Sequence, residues 1–304
     1  MILMHIHDIQ LQSMINAMQP LMWCQTAPMP SFEIEKIIEP GEQDTLCNVL
    51  ARLGDLPKAR VKHAMNCGAV WLQKPGGRKR RARRATAMVR PGDRVAMYYD
   101  QAILDLRPPS ARCIEDYKRF SVWNKPAGMI SQGSRFGDHC SLIRQAEQYF
   151  KPVRSVYLVH RIDRETSGLV IVGHDRKMAA MLFELFQKHR TEKRYRALVV
   201  GRPDVEGSID VPLDGRPAQT RYTLLRYDKR TDRSLLDVRI VTGRKHQIRR
   251  HLESIGHPVV GDPLYGRGNK NQQGLQLSAY SLKFKCPVSR NEIKIEIDPG
   301  EGLS

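Results

Sequence analysis

Apolar residues recur at helical and strand spacings along the chain, and they predict a short mixed segment followed by a longer, strand-rich one. In residues 45–53 the apolar positions fall three or four apart, which predicts an amphipathic helix. A second helix is predicted to begin at Pro57, because proline suits a first turn, and to end at Gly68. Strands are predicted at residues 69–72 and, after a Pro-Gly-Asp turn, at residues 94–99.

The longer segment contains several strand patterns and fewer helical ones. Residues 236–240 and 293–297 alternate apolar and polar side chains, as strands with one buried face do. Residues 156–159 and 169–172 are continuous apolar runs, which predicts buried strands. Residues 176–189 carry one apolar stripe and are predicted to form a helix that packs in the core. The predicted fold class is α+β, with a mixed, largely antiparallel sheet beside a small α/β domain.

These patterns predict four consecutive parts. Residues 1–30 are predicted to be poorly ordered, and they lack the basic start and continuous apolar run of a signal peptide. Residues 31–100 are predicted to form the small domain, and an Arg-Pro-Pro-Ser motif marks a linker at residues 101–118. Residues 119–304 are predicted to form the larger domain.

Charge narrows the choice of partner. The 304 residues have a formal net charge of +18, with 50 Lys and Arg against 32 Asp and Glu, which predicts a polyanionic partner. No run reaches the roughly 18 apolar residues of a membrane-spanning helix, so nucleic acid is preferred over a membrane. The six cysteines are scattered without a Cys-x-x-Cys pair. This spacing argues against a zinc ribbon or a disulfide framework and predicts reduced thiols in the cytoplasm.

The small domain has two features typical of RNA-binding units. Its helices, its Gly-Ala-Val strand and its Pro-Gly-Asp turn resemble, in their order, an S4 RNA-binding domain. Residues 74–90 hold eight basic side chains and no acidic one, so we expect a loop that is disordered without RNA but able to neutralise phosphates. A merely solvated loop and a nuclear localisation signal are the alternatives. The side chains predicted to bind RNA are Arg78, Lys79, Arg80, Arg81, Arg83 and Arg84.

Residues 160–169 place Asp163 between two arginines, in a predicted turn between two buried strands. A scaffold presents reactive groups in such short polar segments. A helix cap or a structural ion pair is the alternative for an aspartate before Thr-Ser-Gly. The segment resembles the H-R-L-D-x-x-T-S-G-L signature of RluA-type pseudouridine synthases, with Ile162 in place of the usual leucine.

Further segments resemble the same family in the same order. They match its K-P-x-G, K-x-Y-x-A-x-V and T-G-R-x-H-Q-I-R-x-H-L motifs at residues 122–128, 192–199 and 242–252, and the match continues through residues 256–266. The resemblance implies that the chain converts uridine in RNA to pseudouridine. That reaction moves a glycosidic bond without oxidation or a group donor, so no cofactor and no metal are expected.

The resemblance also implies roles for single residues. Asp163 would be the nucleophile, and Arg244 of the T-G-R motif would pair with it. Tyr195 would stack on the uracil and take part in proton removal from C5. Arg161 would fill the space that the flipped-out uridine leaves. Without the resemblance, other roles stay open for these residues. Tyr195 could be a buried strand tyrosine, Arg161 could contact a phosphate, and Arg244 could face solvent.

Other side chains are predicted at the edge of the site. Leu277 aligns with a family leucine that packs against the base, although core packing would explain it equally well, and Ser278 stands where the family usually has histidine. In the helix after Arg244, Ile248, Leu252 and Ile255 are predicted to be buried. The remaining predicted substrate-binding residues are Ile162, Lys125, Lys193 and Lys245. The basic, RNA-facing side of this helix is predicted to consist of Lys245, Arg249 and Arg250. Three histidines are predicted to be structural: His160, His246 and His251.

The sequence argues against two rival functions. A non-catalytic RNA-binding or ribosome-assembly factor would use the basic small domain, but it would be expected to have lost Asp163, Tyr195 or Arg244. A nucleic-acid deaminase needs H-x-E together with P-C-x-x-C, and the chain has no P-C-x-x-C motif. We therefore expect an enzyme that acts as a monomer without an obligatory protein partner, on ribosomal RNA in preference to transfer RNA.

Overall fold

The computed structural model describes residues 30–300 and 303, so the prediction for residues 1–30 lies, except at Pro30, outside the described residues. Within the described residues the chain forms two sheets of four and ten strands. We call residues 30–104 the N-terminal unit and residues 112–300 the C-terminal unit.

The N-terminal unit is a four-stranded sheet with helices on it. The strands lie in the order β1-β4-β2-β3, and their bounds are β1 (Ser31–Ile37), β2 (Val70–Gln73), β3 (Arg80–Arg81) and β4 (Arg94–Asp100). The helices are α1 (Leu46–Gly54), α2 (Lys58–Cys67) and α3 (Gln101–Leu104). The prediction that Gly68 ends the second helix is confirmed, because it adopts the left-handed conformation that suits glycine at a helix end.

The C-terminal unit is built on the larger sheet, in the order β10-β11-β12-β9-β13-β8-β6-β5, with β14 beside β13 and β7 beside β8. In the described part every pairing is antiparallel except that of β8 with β13. The strands are β5 (Arg112–Asp116), β6 (Phe120–Lys125), β7 (Tyr157–Leu158), β8 (Ser167–Gly173), β9 (Thr191–Val200), β10 (Glu206–Ile209), β11 (Thr220–Asp228), β12 (Arg233–Ile240), β13 (Leu277–Lys285) and β14 (Glu292–Glu296). The helices are α4 (Leu142–Tyr149), α5 (Arg176–Gln187) and α6 (Gln247–Ser254).

Strand β8 is buried on both faces, as its continuous apolar run predicted. Val170 and Val172 pack into the core on one side of the sheet, and Leu169 and Ile171 pack into a second core on the other. Met178 and other residues of the α5 stripe cover that second core, which confirms that this stripe is structural. Because both faces of β8 are packed, this strand is a rigid anchor for the segment before it, which contains Asp163.

The predicted linker at residues 101–118 is only partly a linker. Helix α3 belongs to the N-terminal unit, and β5 pairs with β6 at the edge of the larger sheet. The strand was missed because its pattern, Arg-Cys-Ile-Glu-Asp, alternates weakly and is half exposed, as edge strands often are.

The basic run at residues 74–90 has a defined conformation, and the prediction of a disordered loop was wrong. Arg80 and Arg81 form β3, which pairs with β2. Like-charge repulsion is relieved because acidic groups elsewhere in the chain pair with several of the cations. These pairs are Lys74 with Asp93, Lys79 with Glu35, and both Arg81 and Arg83 with Asp138.

Candidate active site

A cavity of about 800 Å³ opens in the C-terminal unit between the segment before β8, strand β9 and the segment leading into α6. Eight of the nine predicted catalytic and substrate-binding residues line it, and the exception is Lys125. The sequence motifs, although far apart in the chain, therefore meet at one place. The eight are Asp163, Tyr195, Arg244, Arg161, Ile162, Leu277, Lys193 and Lys245.

The segment that carries Asp163 is held by hydrogen bonds from a neighbouring turn. The hydroxyl of Ser131 donates to the carbonyl of Ile162 at 3.0 Å and accepts from its N–H at 3.3 Å. The N–H of Gly128 donates to the carbonyl of Arg164 at 2.8 Å. A side chain at Gly168, where φ is +114°, would overlap the backbone of Ala279 on β13. These contacts fix the turn on both sides of Asp163.

Arg249, and not Arg244, is the arginine that faces Asp163. Its Nη1 lies 3.6 Å from Oδ2 of Asp163, whose side chain is 23% exposed. The Nε of Arg244 instead donates to the carbonyl of Pro217 at 3.0 Å. The predicted pairing of Arg244 with Asp163 was therefore wrong. The side chain of Gln247 bonds the N–H of Arg244 and bends the T-G-R segment, which leaves Arg244 on the cavity wall.

Arg249 is buried, so its predicted place on an exposed basic face was also wrong. Its Nε and Nη2 each donate to Asp262 at 2.7 Å, and both side chains are almost fully enclosed. Burial alone would lower the pKa of Arg249, but the hydrogen bonds and charge of Asp262 raise it above its ordinary value. The available sequence signal was that Arg249 lies three residues before the buried Leu252, on the same helix face.

Other predictions for this helix had mixed outcomes. Ile248 and Leu252 are buried, whereas Ile255 is 37% exposed because it follows the last turn. Arg250 pairs with Asp214 at 3.0 Å, so its charge is partly neutralised within the chain.

His246 also lies beside Asp163, a contact that its predicted structural role did not include. Its Nε2 lies 3.9 Å from Oδ1 of Asp163, and its Nδ1 lies 3.1 Å from the hydroxyl of Tyr265. Burial lowers its pKa, an effect that the charge of Asp163 opposes. His160 and His251 are structural as predicted: the first accepts a hydrogen bond from the N–H of Ile171, and the second bonds Thr220 and the carbonyl of Val211.

Tyr195 and Lys193 extend from the same face of β9, because side chains two residues apart in a strand lie on one side. Burial raises the pKa of Tyr195, and the charge of Asp163 raises it further, so the phenol is protonated at neutral pH. Burial lowers the pKa of Lys193 to about 8. Ile162 and Leu277 form an apolar wall of the cavity. The cavity therefore contains the carboxylate of Asp163, the phenol of Tyr195, the amine of Lys193 and an apolar surface for a planar base.

The mouth of the cavity is basic. Arg161 and Lys245 are exposed at its rim, and Arg161 makes no side-chain hydrogen bond or ion pair to the described residues. A positive rim around an apolar floor suits an anionic, aromatic ligand.

Lys125 does not reach the cavity, and its predicted role in substrate binding was wrong. Its side chain is fully buried and donates to the carbonyls of Pro126, Met129 and Arg164 at 3.0, 2.7 and 3.1 Å. Burial lowers its pKa to about 7, although the charges of Glu165 and Asp163 oppose this shift. Lys125 is the last residue of β6, and its hydrogen bonds join the turn after β6 to the segment that contains Asp163.

Neither a metal centre nor a membrane span is found in the described part of the chain. No group of three or more His, Cys, Asp and Glu side chains could hold a metal ion there. None of the helices within residues 30–300 is long and apolar enough to cross a membrane.

Comparison with known proteins identifies the family of the chain. A family model for RNA pseudouridylate synthase matches residues 119–254. An uncharacterized RNA pseudouridine synthase of Chloroflexus aurantiacus is 36% identical over 70% of this chain and 72% of its own length. The dual-specificity RNA pseudouridine synthase RluA of Vibrio vulnificus is 31% identical over 62% of this chain and 84% of its own. The ribosomal large subunit pseudouridine synthase D of Zymomonas mobilis is 34% identical over 58% and 65%.

The fold is shared with a solved structure. Human RNA pseudouridylate synthase domain containing 4 superposes with a TM-score of 0.53 at 23% identity, over 62% of this chain and 88% of that one. This likeness concerns the fold alone, and with the sheet topology it confirms the α+β class with a largely antiparallel sheet. The chain belongs to the RluA-type family of RNA pseudouridine synthases, which are isomerases that act on RNA.

Proposed function

We propose that the chain isomerises a specific uridine in structured RNA, and that Asp163 is the nucleophile acting on a flipped-out nucleotide. The observation that carries the proposal is the contact of Asp163 with the buried guanidinium of Arg249, 3.6 Å away, in a cavity that Tyr195 also lines. Asp262 fixes the guanidinium of Arg249, so this guanidinium can orient the attacking carboxylate of Asp163 without itself moving.

The reaction can be written with these groups. A carboxylate oxygen of Asp163 bonds to C1′ of the ribose as the bond from C1′ to N1 of uracil breaks. The base turns, C5 bonds to C1′, and the bond to Asp163 breaks. The proton on C5 then leaves and N1 gains one, so that no other reactant is consumed. Ile162 and Leu277 would hold the base during its rotation.

Tyr195 is assigned the proton transfer at C5. The phenol is protonated at neutral pH because burial raises its pKa, so it can take the proton from C5 only as it passes its own proton on toward N1 of the base.

Arg161 is assigned the space that the extruded nucleotide leaves in the RNA stack. Its exposed side chain at the cavity mouth has no partner among the described residues, so it can enter the RNA without breaking an internal contact. Base extrusion costs roughly a few kcal/mol, which such a filling side chain offsets in part.

Ribosomal RNA is the substrate that we favour, and transfer RNA is the alternative. The name of the Zymomonas mobilis relative specifies the large ribosomal subunit, and that of the Vibrio vulnificus relative specifies dual specificity. Mapping pseudouridine across cellular RNA with and without this protein would identify the modified position. We further propose that the chain acts as a monomer in the cytoplasm, which sedimentation and fractionation would test.

A non-catalytic RNA-binding role is the rival that the main experiment must separate. Asp163→Asn is expected to abolish pseudouridine formation while leaving RNA affinity near that of the native chain. Glu165→Gln is the matched control, because Glu165 is two residues away but does not line the cavity. Full activity of Asp163→Asn would refute the proposal. Loss of RNA binding in that variant would instead make Asp163 a structural residue.

A further inference from the structure

A loop of the C-terminal unit contacts the N-terminal unit through two ion pairs, one between Arg135 and Glu33 at 2.6 Å and one centred on Asp138. We call residues 131–140 the bridging loop. Within it, Asp138 accepts hydrogen bonds from Nη2 of Arg83 at 2.6 Å on both oxygens, and Nε of Arg81 lies 3.1 Å away. The Asp138 side chain is only 16% exposed, so the two arginines enclose it. Two cations of the basic run are thus directed toward the C-terminal unit.

Backbone groups surround this ion pair on both sides. The N–H of Asp138 donates to the carbonyl of Cys67 at 2.9 Å. Nη2 of Arg81 donates to the carbonyl of Ser134 at 2.6 Å, and the indole N–H of Trp71 donates to that of Arg135 at 3.1 Å. The guanidinium of Arg81 also lies over the Trp71 ring, with 4.3 Å to its centroid. Charged, aromatic and backbone contacts therefore join at one small interface.

Gly68 allows the units to approach this closely. A side chain there would overlap Oδ1 of Asp138, and its φ of +80° also favours glycine. The residue that ends helix α2 is therefore also the one against which Asp138 packs.

The same bridging loop reaches the proposed nucleophile. It begins at Ser131, whose hydroxyl bonds both backbone groups of Ile162, the residue before Asp163. A short path of hydrogen bonds and covalent structure thus connects the basic run to the catalytic turn. By contrast, the side chains of Arg78, Arg80 and Arg84 are exposed and make no ion pair with the described residues.

We propose that Asp138 is a positioning residue: it fixes the N-terminal unit so that RNA on the exposed arginines meets Asp163 at a constant distance and orientation. The inference rests on the proposed function, because it assumes an RNA substrate that spans both units. Arg81 and Arg83 hold the interface, and Arg78, Arg80 and Arg84 bind phosphate. The basic run thereby divides into two sets with different tasks.

Asp138→Asn separates positioning from binding and from folding. The variant gains net positive charge and releases two arginines, so RNA affinity is expected to stay equal or rise. The turnover number is expected to fall by about tenfold, within the loss that a small misplacement of reacting groups produces. Asp138→Glu should recover part of the turnover. A purely structural role would lower affinity, turnover and thermal stability together.

Asp116→Asn is the matched control, since it removes an equal charge from another arginine pair, that of Asp116 with Arg154 inside the C-terminal unit. It should leave turnover on RNA unchanged. The double variant Arg81→Gln/Arg83→Gln removes both cationic partners of Asp138 in the N-terminal unit, so it should show the same loss of turnover. Unchanged turnover in both Asp138→Asn and this double variant would overturn the inference.

A measurement that needs no activity keeps this inference separate from the proposed function. Small-angle X-ray scattering of the full chain without RNA should give a larger radius of gyration for Asp138→Asn than for the native chain and for Asp116→Asn. Identical scattering would overturn the inference whatever the enzyme does. A native chain that modifies no RNA would instead defeat the proposed function.

Discussion

Nη1 of Arg249 lies 3.6 Å from the carboxylate of Asp163 and has no hydrogen-bond partner among the described residues, although it is buried. The other two nitrogens of the same guanidinium are held by Asp262. A buried donor without a partner is costly in a folded protein, and such groups often mark a functional site. Arg249 is therefore oriented by one carboxylate and directed toward another.

Arg249→Gln is expected to lower both stability and turnover. Removal of the cation leaves Asp262 buried without its counter-ion, which costs about 3–5 kcal/mol of unfolding free energy. Arg249→Lys keeps the charge but loses the paired geometry, so it should lose turnover with a smaller loss of stability. Urea unfolding and single-turnover assays would measure the two effects. Arg244→Gln is the control, and equal damage to turnover there would contradict the assignment.

Tyr195→Phe is expected to reduce turnover by roughly 100-fold, the usual scale for a lost acid–base group. Stability should change by less than about 1 kcal/mol, because the phenol donates no hydrogen bond to the described residues, and RNA affinity should hold because the ring remains. Tyr195→Leu removes the ring as well and should also weaken binding. Near-native turnover of Tyr195→Phe would restrict this residue to stacking.

The pKa of Lys193, lowered to about 8 by burial, predicts two opposite pH effects. Its ammonium is charged below pH 8, so attraction of RNA phosphate should weaken as pH rises through 8. Unfolding restores the ordinary pKa of 10.5, so between about pH 8 and 10.5 the unfolded chain binds more protons and stability rises with pH.

Lys193→Met should therefore be more stable than the native chain at pH 7 but bind RNA less well, without the change near pH 8. Binding titrations and thermal unfolding across pH 6–10 would measure both effects. Lys188→Met is the control, since Lys188 is exposed and pairs with Glu184. The same pH profile in native chain and Lys193→Met would exclude Lys193 from the binding site.

The exposed arginines of the basic run are expected to determine much of the salt dependence of RNA binding. Changing Arg78, Arg80 and Arg84 together to Gln should reduce the slope of log affinity against log salt by about 2–3, at roughly 0.7–0.9 per phosphate contact. The control changes three exposed basic residues in the last part of β11 and the turn after it: Arg226, Lys229 and Arg230. An equal reduction in the control would show that the effect is general charge and not a site.

The sequence predicted elements and motifs well where the signal is local. The run before and after Asp163 identified two strands, and β8 is buried on both faces as expected. Glycine at position 68 ends a helix because a left-handed conformation is a local requirement. The family resemblance also assigned Asp163, Tyr195 and Lys193 to one site, and the structure brings all three to one cavity.

Only the tertiary structure decided which charges meet. The T-G-R motif favoured Arg244 as the partner of Asp163, but burial of one face of α6 and the distant Asp262 direct Arg249 toward Asp163. Arg81 and Arg83 likewise look like their exposed neighbours until Asp138 is placed beside them. Residue type and spacing determined the fold class and the chemistry available to this protein. The partner of each charge depended on long-range packing, because electrostatic energy depends on distance and burial in space and not on separation along the chain.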